Sequence, residues 1–274
     1  MRFLPILFAA TLIPAVPALA QQRTTQSSAD DAHLQVGTGV DYQSGYYQTG
    51  QKVELVSVVN TARLQKGRVI LTASLPWLSL NAPGYVVASG GGAGGLFGLP
   101  VLSSPTSNTT TTERVHREGL GDLRLGAGYV LPVHAVDITA YGQVKLPTAS
   151  VSKQLGTGKT DFAVGAQVSK RVGGVTPFAN VSYTMPGKPD AYPLRDSLSV
   201  QAGLSTKLGK HVAGQISYAY AQGISPQLPD QQQVATRLDV GVGKHLQVGV
   251  YGSAGVTPTA PDVGAGLQLG WSVF

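Results

Sequence analysis

The chain has 274 residues and a mass of 28.4 kDa, room for one or two domains, and its lack of cysteine excludes a disulfide framework. Charged residues make up only 12%, about half of the usual ~25%, while 35 glycines are nearly twice the ordinary ~7% share. A net charge of +6, with aromatic and β-branched residues running from Val36 to Phe274, excludes intrinsic disorder and leaves a chain suited to surroundings that tolerate apolar surface.

In chain order, residues 1–20 come first. Arg2 precedes an apolar run over 3–16, and Ala18-Leu19-Ala20 closes it with a small-x-small ending, the pattern of a secretory signal peptide cleaved before Gln21. An N-terminal membrane anchor is the alternative, but Pro5, Pro14 and Pro17 interrupt a run already too short to span comfortably. Residues 21–33 read as a short N-terminal segment and 34–274 as one domain. After Ala20 no stretch reaches the roughly 18 uninterrupted apolar residues of a membrane helix; residues 69–80 come nearest and contain Thr, Ser and Pro.

From Leu34 onward the period is two. Leu34, Val36, Thr38, Val40 and Tyr42 oppose Gln35, Gly37, Gly39, Asp41 and Gln43, which is a strand with one wet face. Leu123, Leu125, Ala127, Tyr129 and Leu131 repeat the pattern against Asp122, Arg124, Gly126 and Gly128, as do 136–146, 162–169, 198–205, 234–242 and 267–273. Less regular segments at 53–63, 68–80, 175–185, 211–221 and 246–254 bring the total to about 12 strands, each of the ~10 residues that a tilted membrane strand needs. Connections alternate between short (65–67, 132–134, 172–174, 208–210, 243–245) and mostly longer (81–118, 147–159, 186–195, 222–231, 256–262), as turns and external loops do in a barrel. The prediction is an all-β, transmembrane, antiparallel up-and-down β-barrel of the outer-membrane type. A soluble β-sandwich also alternates. Against it, the wet face is mostly Gly, Ser, Thr and Gln, and Tyr129, Phe162, Tyr183, Tyr220 and Trp271 fall near apolar-face strand ends, where an interfacial girdle places them.

Four segments then carry a resemblance: Gly119-Leu120-Gly121-Asp122-Leu123, Leu146-Pro147-Thr148, Leu155-Gly156-Thr157-Gly158-Lys159-Thr160-Asp161 and Met185-Pro186-Gly187-Lys188-Pro189. With a fainter match at Leu75-Pro76-Trp77, the chain from about Gly119 to its end resembles a family of bacterial outer-membrane barrels named for the meta-cleavage pathway of phenol degradation. The resemblance implies a passive outer-membrane transport role, a phenol-like cargo and insertion by the barrel-assembly machinery. One departure is the final residue: Phe274 is out of phase with Trp271 and Val273, so either a bulge near Gly270 resets the phase or the terminal recognition signal is unusual.

No constellation carries an enzyme's signature. Gly156-Thr157-Gly158-Lys159-Thr160 lacks the earlier glycine of a P-loop, Lys153 standing in its place, and strand alternation rather than a helix follows it. His33, His116, His134, His211 and His245 have no metal-ligand spacing, and no cofactor is expected. A barrel-rim hydrolase built from His116 with Ser103 or Asp122 stays open as a third reading. Cations at Lys66, Arg68, Lys170, Arg171, Lys207, Lys210 and Lys244 are scattered one turn at a time, which suits lipid headgroups and excludes the basic stripe of a nucleic-acid binder.

On the wet face glutamine recurs, at Gln35, Gln143, Gln167, Gln201, Gln215, Gln233, Gln247 and Gln268. Rings of like charge select ions, so this largely neutral lining predicts passage of small neutral or aromatic solutes; the competing reading is that the amides fill a narrow barrel, leaving a closed structural or surface-binding barrel. A two-residue turn at Val133-His134 would set Asp122 across from Lys145 and Arg124 across from Gln143, and Arg237 shares a face with Asp239. These charges are expected to shape a constriction or hold the wall. In the long loop 81–118, Leu96, Phe97 and Leu99 are too apolar for free exposure and are expected to fold into the mouth as a lid or lie on the outer leaflet.

Overall fold

The computed structural model describes residues 32–89, 99–102, 113–191 and 193–273, with the side chains of 89 and 99–102 left out. The expected signal peptide, Leu96, Phe97, Ser103 and Phe274 lie outside the described residues, as does the side chain of Leu99.

Among the described residues fifteen strands follow one another: β1 (Ala32–Gly45), β2 (Val53–Lys66), β3 (Val69–Pro83), β4 (Val86–Ser89), β5 (Leu99–Leu102), β6 (Arg114–Leu120), β7 (Leu123–Leu131), β8 (Asp137–Leu146), β9 (Asp161–Ser169), β10 (Val175–Met185), β11 (Ser197–Lys207), β12 (Val212–Ala221), β13 (Gln231–Val242), β14 (Leu246–Gly255) and β15 (Val263–Ser272). Every pairing between sequence neighbours in the main sheet is antiparallel, and β1 pairs with both β2 and β15, Val36 lying opposite Ala62 on one side and Trp271 on the other. Since β2 also pairs with β3, the ring is closed, which removes the sandwich alternative. Because β6 and β7 succeed one another along β3, the thirteen strands of this sheet make a twelve-strand wall.

The two faces are inverted relative to a water-soluble protein. Val40, Leu71, Leu125, Val164, Leu204, Ile216, Val250 and Leu267 point outward and are exposed, whereas Asp41, Gln167, Asn180, Gln201, Gln233, Asp239 and Gln268 point inward and are buried. An apolar belt around a polar interior is the arrangement that hydrocarbon surroundings demand. Girdle aromatics are found at both ends: Tyr129 and Trp271 beside the short turns, with His245 stacked on Trp271 at 5.7 Å, and Phe162 and Tyr183 beside the long loops. There Tyr183 and Tyr220 donate their hydroxyls to Asp196 (2.8 Å) and Asp230 (2.5 Å).

The short end is built for tight reversal. Gly67 (φ 56) and Gly243 (φ 66) occupy the left-handed region that a side chain would strain. Three expectations need correcting. First, the turn between β7 and β8 spans 132–136, so the register sets Arg124, not Asp122, opposite Lys145, and Gly126 opposite Gln143. Pro132 has no amide hydrogen to close a two-residue hairpin, and the loop is longer for that reason. Second, 81–118 is not an open loop: β3 runs on to Pro83, β6 pairs back along it, and β4 and β5 form a separate hairpin between them. Third, β15 keeps unbroken register with β14 and β1 through Gly270, and Val273 continues by donating to Leu34 O (2.8 Å), so no bulge resets the phase there.

Candidate functional site

The interior begins with an irregularity in the wall. Between the pairs Ser74–Arg124 and Trp77–Leu120, β3 contributes two residues and its partner three, so Gly121 to Leu123 form a bulge. Pro76 explains its position, since it cannot donate to the ladder; its carbonyl still accepts from Gly121 N (2.8 Å). Released from the ladder, Asp122 turns inward and reaches Lys145 at 3.0 Å despite the shifted register.

Around that contact the four family-like segments converge. Lys145 Nζ also binds Asp161 (2.8 Å) and Thr157 Oγ1 (3.2 Å), and Asp122 accepts from Ala149 N (3.0 Å). Thr148 Oγ1 accepts from Leu123 N (2.8 Å) and donates to Gly121 O (2.9 Å), while Asp161 accepts from Gly187 N (3.0 Å). Gly156 lies so close to the Asp122 carboxylate that a Cβ there would stand 3.0 Å from both oxygens. The segments thus assemble one buried node that ties the 147–160 connection into the wall.

A second charged group occupies the opposite wall. Arg237 binds Asp239 through Nε and Nη2 (2.8–3.0 Å) and donates to Gln268 (2.6 Å), as their shared face predicted, and Tyr251 donates to Asp41. Sequence reading missed Tyr251, Tyr141 and Phe178, which point inward and lie over glycines of the next strand: a Cβ on Gly266, Gly165 or Gly203 would fall 2.2, 2.4 or 2.7 Å from the respective ring or its hydroxyl. The signal was present in Tyr141, which the alternation places on the wet face.

Of the predicted amides, Gln167, Asn180's register neighbour, continues across Gln201 to form a band over β9, β10 and β11, and Gln201 donates to Ser217 (3.2 Å). Gln167, Gln201, Gln233, Gln247 and Gln268 are all buried, whereas Gln35, Gln143, Gln215, Arg63, Thr72 and Arg124 are partly exposed. The amides therefore fill much of the β9–β15 side, and the more accessible interior lies along β2, β3, β7 and β8.

At the long-loop end the barrel is capped by an apolar cluster. Leu78, Leu80 and Ala82 face inward from β3 and pack with Tyr47, Val53, Val86, Ala88, Ala149 and Leu155. On the other side of the hairpin Val87 packs with Leu194 and Ile224, which belong to connections across the ring, so β4 bridges the mouth. Arg117 fastens it by donating to Val86 O (3.0 Å) and Pro83 O (3.2 Å) and by pairing with the Gln154 side chain, and Ala88 N donates to Gln154 O (3.0 Å). Tyr47 (φ 48), Gln48 (φ 58) and Gln154 (φ 55) are left-handed non-glycines, a strain of order 1–3 kcal/mol each that is kept where the cap is fastened. Burial, with Asp262 adding to it, pushes the Tyr47 phenol above its usual range. Val86, Val87 and Ala88 cover the mouth in this way, while the expected lid residues Leu96 and Phe97, and the side chain of Leu99, lie outside the described residues.

Of the rim constellation, Ser103 lies outside the described residues, and among those described His116 and Asp122 do not meet. His116 points outward and meets Glu118 at 3.6 Å, while Asp122 is buried on the inner face and held by Lys145.

The family model described as "Putative MetA-pathway of phenol degradation" matches residues 27–273. Among solved structures the chain is similar to the COG4313 outer membrane channel from Pseudomonas putida F1, with 13% identity and a TM-score of 0.64 over 90% of this chain and 98% of that one. It is also similar to the KdgM porin, with 8% identity and a TM-score of 0.53 over 88% of this chain and 99% of that one. No curated protein matches the sequence.

Proposed function

Since the chain belongs to the family of the phenol-degradation MetA pathway, matched over residues 27–273, we propose that it is an outer-membrane channel for passive uptake of small aromatic or neutral compounds. The observation that carries this reading is the closed ring with apolar residues outside and amides, hydroxyls and mostly ion-paired charges inside. Such an interior offers hydrogen bonds to a polar substituent without the like-charge ring that selects ions. The outer-membrane setting follows from the apolar belt and the aromatic ends. No side chain is assigned a chemical step; the channel works by diffusion, with outer-membrane lipids around it.

A second reading is favoured by one observation, the apolar cap of Leu78, Leu80, Val86, Val87 and Leu155: a closed barrel whose external surface binds another molecule. Single-channel conductance and liposome permeation of the refolded mature chain separate the two. Passage of phenol-sized solutes supports the channel. A folded barrel that passes neither ions nor solutes refutes it and favours the closed barrel.

A further inference from the structure

Inward carboxylates of the deep interior are each held by a donor: Asp122 and Asp161 by Lys145, Asp239 by Arg237, and Asp41 by Tyr251. Two inward guanidiniums are not held in this way. Among the described residues Arg63 donates only to Gln65 (3.2 Å), and Arg124 has neither a hydrogen bond nor an ion pair, Asp161 and Asp122 acting on it only at longer range, with its Nε buried and unpartnered. Both lie on the more accessible wall. In register, Arg63 is opposite Thr72, and Thr72 is opposite Gly126; Arg124 is opposite Ser74 on the same strand. The two arginines thus flank the small side chains of Thr72, Ser74 and Gly126, with Gln143 opposite Gly126 and its amide nitrogen also buried without a partner.

We propose that Arg63 and Arg124, with Gln143, form an anion-accepting station in the lumen whose ligand is the carboxylate of a small aromatic acid. This rests on the channel reading and narrows its cargo. Planar guanidinium forks match a carboxylate, and the residues between the two arginines, Thr72, Ser74 and Gly126, have small side chains or none. Charge favours a monoanion: around the station Arg63, Arg124 and Lys145 stand against Asp122 and Asp161, an excess of one positive charge that a single carboxylate cancels. Partial exposure keeps the contact weak, as passage requires.

The test uses benzoate and benzamide, near-isosteric and, at pH 7.5, charged and neutral. Influx of each is measured in liposomes holding the full mature barrel, together with the reversal potential in a KCl gradient. The wild type should prefer benzoate by about fivefold, the scale of one partly solvated charge contact. Arg63→Gln with Arg124→Gln should bring the ratio near one and move the reversal potential toward cation selectivity, while Arg68→Gln, in a short turn, changes neither. A wild-type ratio at or below one overturns the station without any variant, as does an unchanged ratio in a folded double variant. If neither solute enters, the channel reading fails separately, and calorimetric benzoate binding to the refolded barrel decides the station: binding lost in the double variant supports it, and no binding overturns it.

Discussion

Replacing Lys145 with methionine isolates the buried node. The ammonium is almost inaccessible, and its removal strands Asp122, fully buried, and Asp161, 12% exposed, with only the Ala149 and Gly187 amides as remaining donors. Breaking a buried ion pair by deleting one partner costs about 3–5 kcal/mol. Arg124, opposite Lys145 in register and otherwise unpaired, can swing toward the carboxylates, so the lower end, about 3 kcal/mol, is expected. Asp122→Asn leaves Lys145 paired with Asp161 and should cost about 1–2 kcal/mol, since a hydrogen-bonding group remains in place. The double variant should cost less than the two single changes together, because methionine then faces one carboxylate rather than two. Reversible urea unfolding of the barrel in lipid vesicles, followed by outward tryptophan emission, measures all three. If Lys145→Met and Asp122→Asn each cost under about 0.5 kcal/mol, the node is screened by solvent and the reasoning fails.

Deleting 86–102 removes the hairpin that bridges the mouth and should raise single-channel conductance severalfold; an unchanged conductance means the cap does not limit passage. Gly266→Ala places a methyl group 2.2 Å from the Tyr251 ring and should cost about 1–3 kcal/mol in urea unfolding, whereas Gly142→Ala, whose nearest atom is 3.9 Å away, should be near neutral. Val250→Lys on the outer face should cost about 2–4 kcal/mol in bilayers of ordinary thickness if that face meets hydrocarbon at mid-depth. A cost under about 0.5 kcal/mol in urea unfolding from lipid vesicles would refute the lipid-facing assignment.

The fold was legible because lipid and lumen impose opposite chemistry on successive residues, so β1, β7 and β13 announce themselves by alternation alone. Where the pattern faded, the structure gives the cause. Along β3 the outward Trp77 meets the belt and the inward Leu78 and Leu80 meet the apolar cap, so both faces are apolar and the period disappears. The hairpin was hidden for a related reason: β4 and β5 have four residues each, too few for a period, and they flank a glycine-rich run that reads as loop. Register is harder still. A proline-containing turn moved Lys145 by two residues along β7, and parity, which alternation supplies, cannot detect a shift of two.

The node shows why a correct contact can come from an incorrect register. Asp122 and Lys145 are of opposite sign on one face, and a buried charge requires a partner, so their proximity was legible from composition of the face. The route to it was not: Pro76 breaks the ladder, the bulge frees Asp122, and Asp161 and Thr157 arrive from a connection whose path no periodicity describes. The same displacement put Arg124 opposite Lys145 instead of Gln143, and the nearby Asp122 and Asp161 carboxylates make their close contacts with Lys145. A two-residue shift in one hairpin therefore sets a guanidinium beside an ammonium on the accessible wall, where the expected register would have set it beside a neutral amide, and that bears on which solutes the lumen should prefer.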